Sequence, residues 1–239
     1  MPPLGRKRAH FLSLEAFNLQ GYDKVVYVDS DALIVGNVSD LFSAPGDLAA
    51  CPDMALARGL VRDRRTFRLV SPAAVPRDTV FTRSFNSGVL SIGKPLLSGE
   101  TFGALERLVT EDVLAPVETG HTDQFVLNTH FDRSVSLLPR RFNYLVNDGH
   151  RRAALGPGEA RIVHYAGRPK PWQRGWLGRI VRGERTASAL APWLDAYERY
   201  LRHGPAATSP AVRRVRLAAL AARRAALACC ASVARRMPA

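Results

Sequence analysis

The chain has 239 residues, 46% of them hydrophobic and 23% charged, which is enough apolar material for a domain core and excludes intrinsic disorder. A formal net charge of +13 raises the question of a polyanionic partner. Seven of the arginines lie beyond His203 in a stretch without a single acid, and basic residues do not interleave with aromatic ones in the way that stacks bases, so no specific nucleic-acid binding is expected.

In chain order, apolar residues at Phe11, Leu14, Phe17 and Leu19 predict a short helix from His10 to Gln20, ended by Gly21. Val25 to Val28 reads as a buried strand of a parallel sheet, and Asp29-Ser30-Asp31 stands at its C-terminal end, the edge where open α/β sheets bind ligands. Carboxylates one residue apart point to opposite faces of a regular strand, so both reach one ligand only if the chain turns at Ser30. Gly36-Asn37 marks a turn, Val38 to Phe42 a helical turn, and Leu48 to Ala50 a second strand. Arg58 to Arg77 holds six arginines against one acid and reads as a basic surface loop or loose helix, solvated rather than functional.

Phe85 to Ile92 predicts a strand entered through Asn86-Ser87-Gly88, and Leu96 to Val109 a helix. Asp123 to His130 suits a helix with Thr122 as its cap, Val135 to Leu138 a strand, and Arg161 to Tyr165 the last strand. Pro192 to Arg202 reads as a closing helix with Trp193, Ala196, Tyr197 and Tyr200 on one side. Residues 1–203 therefore form the folded domain. Residues 204–239 form an Ala/Arg-rich tail whose leucines and arginines fall on the same helical face, a pattern that predicts a frayed helix or disorder. Cys51 and the adjacent Cys229 and Cys230 make no disulfide framework, no apolar run approaches a membrane span, and the basic N-terminus leads into no signal-peptide core; a cytoplasmic location is expected.

The strand-end motifs occur in an order that lets them converge on one sheet edge. Asp29 and Asp31 offer hard oxygen ligands for Mn2+ or Mg2+, and His164 can add a nitrogen, which manganese accepts more readily. Gly167 lets backbone approach a bulky anion, and Lys170 supplies a cation to a departing diphosphate. Asn86, Asp123 and Gln124 remain to hydrogen-bond hydroxyls. Taken singly, each has a plainer reading: a solvated acidic turn, a structural histidine, an Asn-Ser-Gly turn, an acid favoured by a helix dipole.

Together, YDKVVYVDSDALIVGNVSDLF, FNSGVLSIGKP, TDQFVLN, LPRRFNYLVN and HYAGRPKPW, in this order between Leu12 and Trp172, resemble the successive blocks of glycosyltransferase family 8, the glycogenin and bacterial galactosyltransferase group. The resemblance implies an α/β, GT-A-like nucleotide-sugar-transferase fold with a mixed, mostly parallel sheet and flanking helices. It also implies retaining transfer of a hexose from a UDP-sugar to a glycan, lipid-linked or protein acceptor. By the same resemblance Asp29, Asp31 and His164 hold manganese (or Mg2+), and Gly167 and Lys170 contact the phosphates. Asn86, Ser87 and Gly88 join the donor site, Asp123 and Gln124 bind the sugar with one of them nearest the reacting carbon, and the favoured account of retention is front-face attack. The family fold opens with a β-α-β unit ahead of the metal strand, whereas only 28 residues precede Asp29, so the chain reads as N-terminally truncated with activity impaired to match. The alternatives are a degenerate sugar-nucleotide-binding module, a basic nucleic-acid-binding protein, and a haloacid-dehalogenase-type phosphatase that uses VVYVDSDALIV as its nucleophile strand. The phosphatase reading leaves the later blocks without a role.

Overall fold

The computed structural model describes residues 5–117, 122–146, 157–173, 175, 187–204 and 209–234. Its central sheet has the strand order β1-β7-β3-β8, with β1 Lys24–Val28, β7 Phe85–Gly93, β3 Leu48–Pro52 and β8 Val135–Leu137. β3 and β8 pair in parallel, while β7 runs antiparallel to both β1 and β3. Three strands thus share one direction, as a mostly parallel sheet requires, yet the reversed β7 lies between two of them and makes two of the three ladders antiparallel. β7 is buried along its whole length, so it is the true centre of the sheet.

β1 corrects the expectation of a buried parallel strand. It is half-buried throughout and, among the described residues, stands at the edge of the sheet and pairs only with the antiparallel β7. An apolar run of four residues does not distinguish an edge strand with one covered face from a central one. A short helix, α1 Met54–Ala57, capped by the Asp53 side chain, follows β3, and among the described residues three further helices cover the sheet: α2 Gly99–Arg107, capped by the Ser98 hydroxyl, α3 Glu111–Leu114, capped by Thr110, and α4 Thr122–Phe131. Ahead of β1, residues Gly5–Asn18 form a 3-10 helical segment that buries Leu14 and Phe17 against α2 and α4. Phe17 stacks on Phe131 at 5.4 Å. The Thr122 side chain, expected as a cap, lies outside the described residues.

A second sheet, β2-β10-β9, holds β2 Ala32–Ile34, β10 Ile162–His164 and β9 Tyr144–Leu145. The chain leaves the first sheet at Val28 and enters the second at Ala32, so Asp29-Ser30-Asp31 is the crossing between them. Ala32 N–H donates to the Asp29 carbonyl at 3.0 Å and closes the turn expected at Ser30.

The arginine-rich stretch folds rather than remaining a loop. β4 Val61–Asp63 pairs antiparallel with β5 Leu69–Val70 and β6 Val80–Phe81. Arg62 is buried at 3% exposure and its guanidinium lies over Phe67, which itself enters the main core at φ 58° against Phe81 and Phe125. Charge counting misread this segment because Arg62 is neutralised by a residue outside it, Asp53, at 2.7 Å.

The C-terminal part also departs from expectation. α5 Ala187–His203 buries Leu190, Leu194 and Leu201, whereas Tyr200, expected on one side with Trp193, Ala196 and Tyr197, is 45% exposed. Residues 210–234, expected to fray, form a continuous helix, α6 Pro210–Ala234, that buries Leu220 and Leu227 against α5. The leucines and arginines share a face because α5 offers both kinds of partner. Arg224 pairs with Asp195 at 2.6 Å and Glu198 at 3.0 Å, and Arg223 lies over the Trp193 ring.

Candidate active site

Asp29, Asp31 and His164 meet where the two sheets adjoin. Each offers one ligand atom within 4.8 Å of the other two, and His164 Nε2 stands 3.1 Å from Asp31 Oδ1 and 3.6 Å from Asp29 Oδ2. The carboxylates remain partly open to solvent while the imidazole is buried, the arrangement of a pocket with a fixed wall and an accessible mouth. Two carboxylate oxygens and one imidazole nitrogen at this spacing fit a divalent cation.

Gly88 explains how the imidazole reaches this point. A Cβ on Gly88 would lie 2.2 Å from His164 Cε1 and 2.6 Å from its Nδ1, so the ring occupies space that only glycine leaves free. The Gly88 carbonyl accepts from Asp29 N–H at 2.9 Å, tying the metal turn to β7. Tyr27 adds a 2.6 Å hydrogen bond from its hydroxyl to Asp29 Oδ1. Burial, then the bond to Asp29 and the nearby charges of Asp29, Asp123 and Asp31, raise the Tyr27 phenol far above its ordinary range, so it serves as a donor. Lys170 Nζ contacts Asp31 Oδ2 and donates to the Tyr165 carbonyl at 3.0 Å. Burial opposes ionisation of Asp31, but the hydrogen bonds and charges of His164 and Lys170 outweigh it and hold the carboxyl well below the usual carboxylate range. Gly167 turns the chain at φ 74° between β10 and Lys170, a conformation that favours glycine.

Behind the triad runs a buried polar chain. His164 Nδ1 meets Asn143 Oδ1 at 2.9 Å, Asn143 Nδ2 donates to Asn86 Oδ1 at 2.7 Å, and Asn86 Nδ2 donates to Gln124 Oε1 at 2.9 Å. Gln124 Nε2 donates to Asp53 Oδ2 at 3.3 Å, and Asp53 ends the chain in the ion pair with Arg62. Ser87 Oγ donates to Asp123 Oδ2 at 2.9 Å. Asn128 holds the two sides together, since its side chain accepts from Phe85 N–H and donates to the Phe85 carbonyl, clamping α4 to β7. All ten residues singled out from the sequence are therefore in one region. They differ in access: Gln124 is 2% exposed with both ends of its amide bonded, whereas Asp123 is half-buried.

An open cleft of about 200 Å³ adjoins Asp31, lined by Ser30, Leu33, Trp172, Trp193 and Tyr197 among others. Trp193 stacks on Tyr197 at 5.0 Å, and Trp172, half exposed, lies 6.3 Å from Trp193.

Residues 6–175, well over half of the chain, match the family described as Glycosyl transferase family 8. The chain belongs to glycosyltransferase family 8. Among curated proteins it is similar to glycosyltransferase GlyE of Streptococcus pneumoniae, 28% identical over 167 residues covering 66% of this chain and 36% of GlyE. Human glycogenin-1 is also 28% identical over 167 residues, covering 66% of this chain and 38% of that one. The chain thus spans well under half the length of these curated relatives. Among solved structures, the galactosyltransferase LgtC in complex with donor and acceptor sugar analogues shares the fold, with a TM-score of 0.51 at 23% identity over 69% of this chain and 60% of LgtC. The GT-A-like α/β architecture is accordingly that of the family.

The family leaves the phosphatase reading without support, and the edge position of β1 is a second argument against a nucleophile carried on a central parallel strand. Sequence reasoning missed Asn143, Asp53, Arg62 and Tyr27. Asn143 lies within the LPRRFNYLVN block, and Asp53 stands just beyond the observed end of β3, three residues past the predicted strand Leu48 to Ala50; their partners His164 and Arg62 are 21 and 9 residues away and nothing local announces them.

Proposed function

We propose that this family 8 chain is a metal-dependent, retaining hexosyltransferase that takes its sugar from a UDP-sugar and passes it to an acceptor hydroxyl. The observation that carries the reading is the meeting of Asp29, Asp31 and His164 within 4.8 Å, with Lys170 in contact with Asp31. The nitrogen ligand favours Mn2+ over Mg2+. Bound there, the cation supplies positive charge to the diphosphate as it leaves.

The chain's own residues do the remaining work. Lys170 exchanges its contact with Asp31 for the diphosphate oxygens, and Gly167 brings backbone close to them. The Ser87 hydroxyl, Asp123 and the Asn86–Gln124 pair form the wall against which the transferred sugar is oriented, with Asp123, more accessible than Gln124, nearest the reacting carbon. In the transfer, the bond from the anomeric carbon to the diphosphate oxygen breaks with its electron pair leaving on UDP. The acceptor oxygen bonds the same face of that carbon and passes its proton to the departing diphosphate oxygen, so that UDP leaves carrying it. Among the described residues no helix is long and apolar enough to cross a membrane.

The test is calorimetric titration of UDP with and without Mn2+. Binding that requires the cation and disappears in Asp31→Ala supports the reading; a folded wild-type chain that does not bind UDP with Mn2+ present refutes it.

A further inference from the structure

The buried polar chain has a direction that can be worked out from both ends. At one end Asp53, paired with Arg62, is a carboxylate that only accepts, so the Gln124 amide must present Nε2 to it and Oε1 to Asn86. Asn86 then presents Nδ2 to Gln124 and turns Oδ1 the other way. At the other end the Gly88 backbone N–H, a donor that cannot be reversed, bonds Asn86 Oδ1 at 3.0 Å, which demands the same orientation. Two independent anchors therefore agree. Asn86 Oδ1 is an acceptor, so Asn143 must approach it with Nδ2, as it does at 2.7 Å. This leaves Asn143 Oδ1 facing His164 Nδ1 at 2.9 Å, and an amide oxygen can only accept.

We propose that Asn143 is a positioning residue that keeps a proton on His164 Nδ1, so that Nε2 is the nitrogen offered to the cation between Asp29 and Asp31. The inference rests on the reading of the triad as a cation site. It adds that the imidazole is held in one tautomer by a relay anchored at Asp53 and Gly88. The outer nitrogen of a metal-binding histidine is ordinarily held by a carboxylate, carbonyl or water; here a side-chain amide fills that place, and the relay explains why an amide suffices. An amide could flip and present its nitrogen, which would forbid the Nδ1–H tautomer; the donation to Asn86 prevents the flip. The burial of Asn86, Gln124, Asn143 and His164, each below 10% exposure, denies all four a competing water.

The experiment is a long-range 1H–15N correlation spectrum of protein labelled at its six histidines, with His164 assigned by its loss in His164→Gln. Mg2+ with UDP serves as the diamagnetic ligand. The wild type is expected to carry a proton on Nδ1 with and without ligand, and ligand addition is expected to move the Nε2 resonance. Nδ1 without a proton in either state overturns the inference. In Asn143→Leu the lock is lost and Mn2+ affinity falls about 10- to 100-fold. A folded Asn143→Leu with wild-type tautomer and affinity also overturns it. Should Asn143→Leu fail to fold, the wild-type spectra with and without Mg2+ and UDP decide alone. A wild type that binds no cation counts against the transferase reading instead, and the Nδ1 proton of the ligand-free protein still decides this one.

Discussion

Gly88→Ala is the sharpest steric probe of the site. The added methyl would lie 2.2 Å from His164 Cε1, about 1.2 Å inside ordinary van der Waals contact, and 2.9 Å from Asn86 Oδ1. Neither neighbour yields freely. His164 is buried and bonded to Asn143, and Asn86 is bonded to Gln124, Asn143 and the Gly88 amide. The imidazole must rotate away from Asp29 and Asp31, or β7 must shift. Overpacking of this kind costs about 1–3 kcal/mol. Displacing the ring removes one of the three proposed ligands, so Mn2+ affinity is expected to fall at least as far as loss of an outer-sphere partner would take it, about 10- to 100-fold. Denaturant unfolding measures the first effect and calorimetric Mn2+ titration the second. A Gly88→Ala protein within about 0.5 kcal/mol of wild type, the scale of neutral surface substitutions, that binds Mn2+ unchanged would refute the placement of His164 against β7.

Asp53→Ala leaves Arg62 charged and buried without its partner, and should cost about 3–5 kcal/mol in denaturant unfolding. Leu220→Ala should cost about 2–5 kcal/mol, because the side chain is buried between α5 and α6; a negligible change would return residues 210–234 to the status of a loose tail. Asp63 supplies a pH test. Burial opposes its ionisation, but the hydrogen bonds from Thr66 and Arg65 outweigh it and lower the folded-state pKa. A depressed carboxyl stabilises the fold above its unfolded pKa of about 3.9 and loses that stabilisation as pH falls through the folded value, so the wild-type advantage over Asp63→Asn should be present at pH 7 and shrink below about pH 4. An advantage that grows on acidification would contradict the sign.

The features legible in the sequence were those in which chemistry and strand ends coincide. Asp29, Asp31, His164 and Lys170 were brought to one place by short motifs at predictable positions, and the turn at Ser30 followed from strand geometry alone. The order of the strands was not legible. Val25 to Val28 has the composition of a central strand, and only its pairing with β7 reveals an edge. The same limit hid Arg62, whose charge looks solvated until Asp53 is found beside it, and the C-terminal helix, whose mixed face makes sense only against Asp195 and Glu198. Asn143 shows the limit at its clearest. A buried asparagine has no periodicity, and its meaning lies in the two residues it joins, Asn86 and His164.

The proposed transfer of sugar from a metal-held UDP donor is tested by release of UDP from a panel of UDP-hexoses in the presence of Mn2+. Release is expected with at least one of them, stopping on chelation of the cation and lost in Asp31→Ala. UDP release that persists in the chelator, or that Asp31→Ala leaves unchanged, would contradict it.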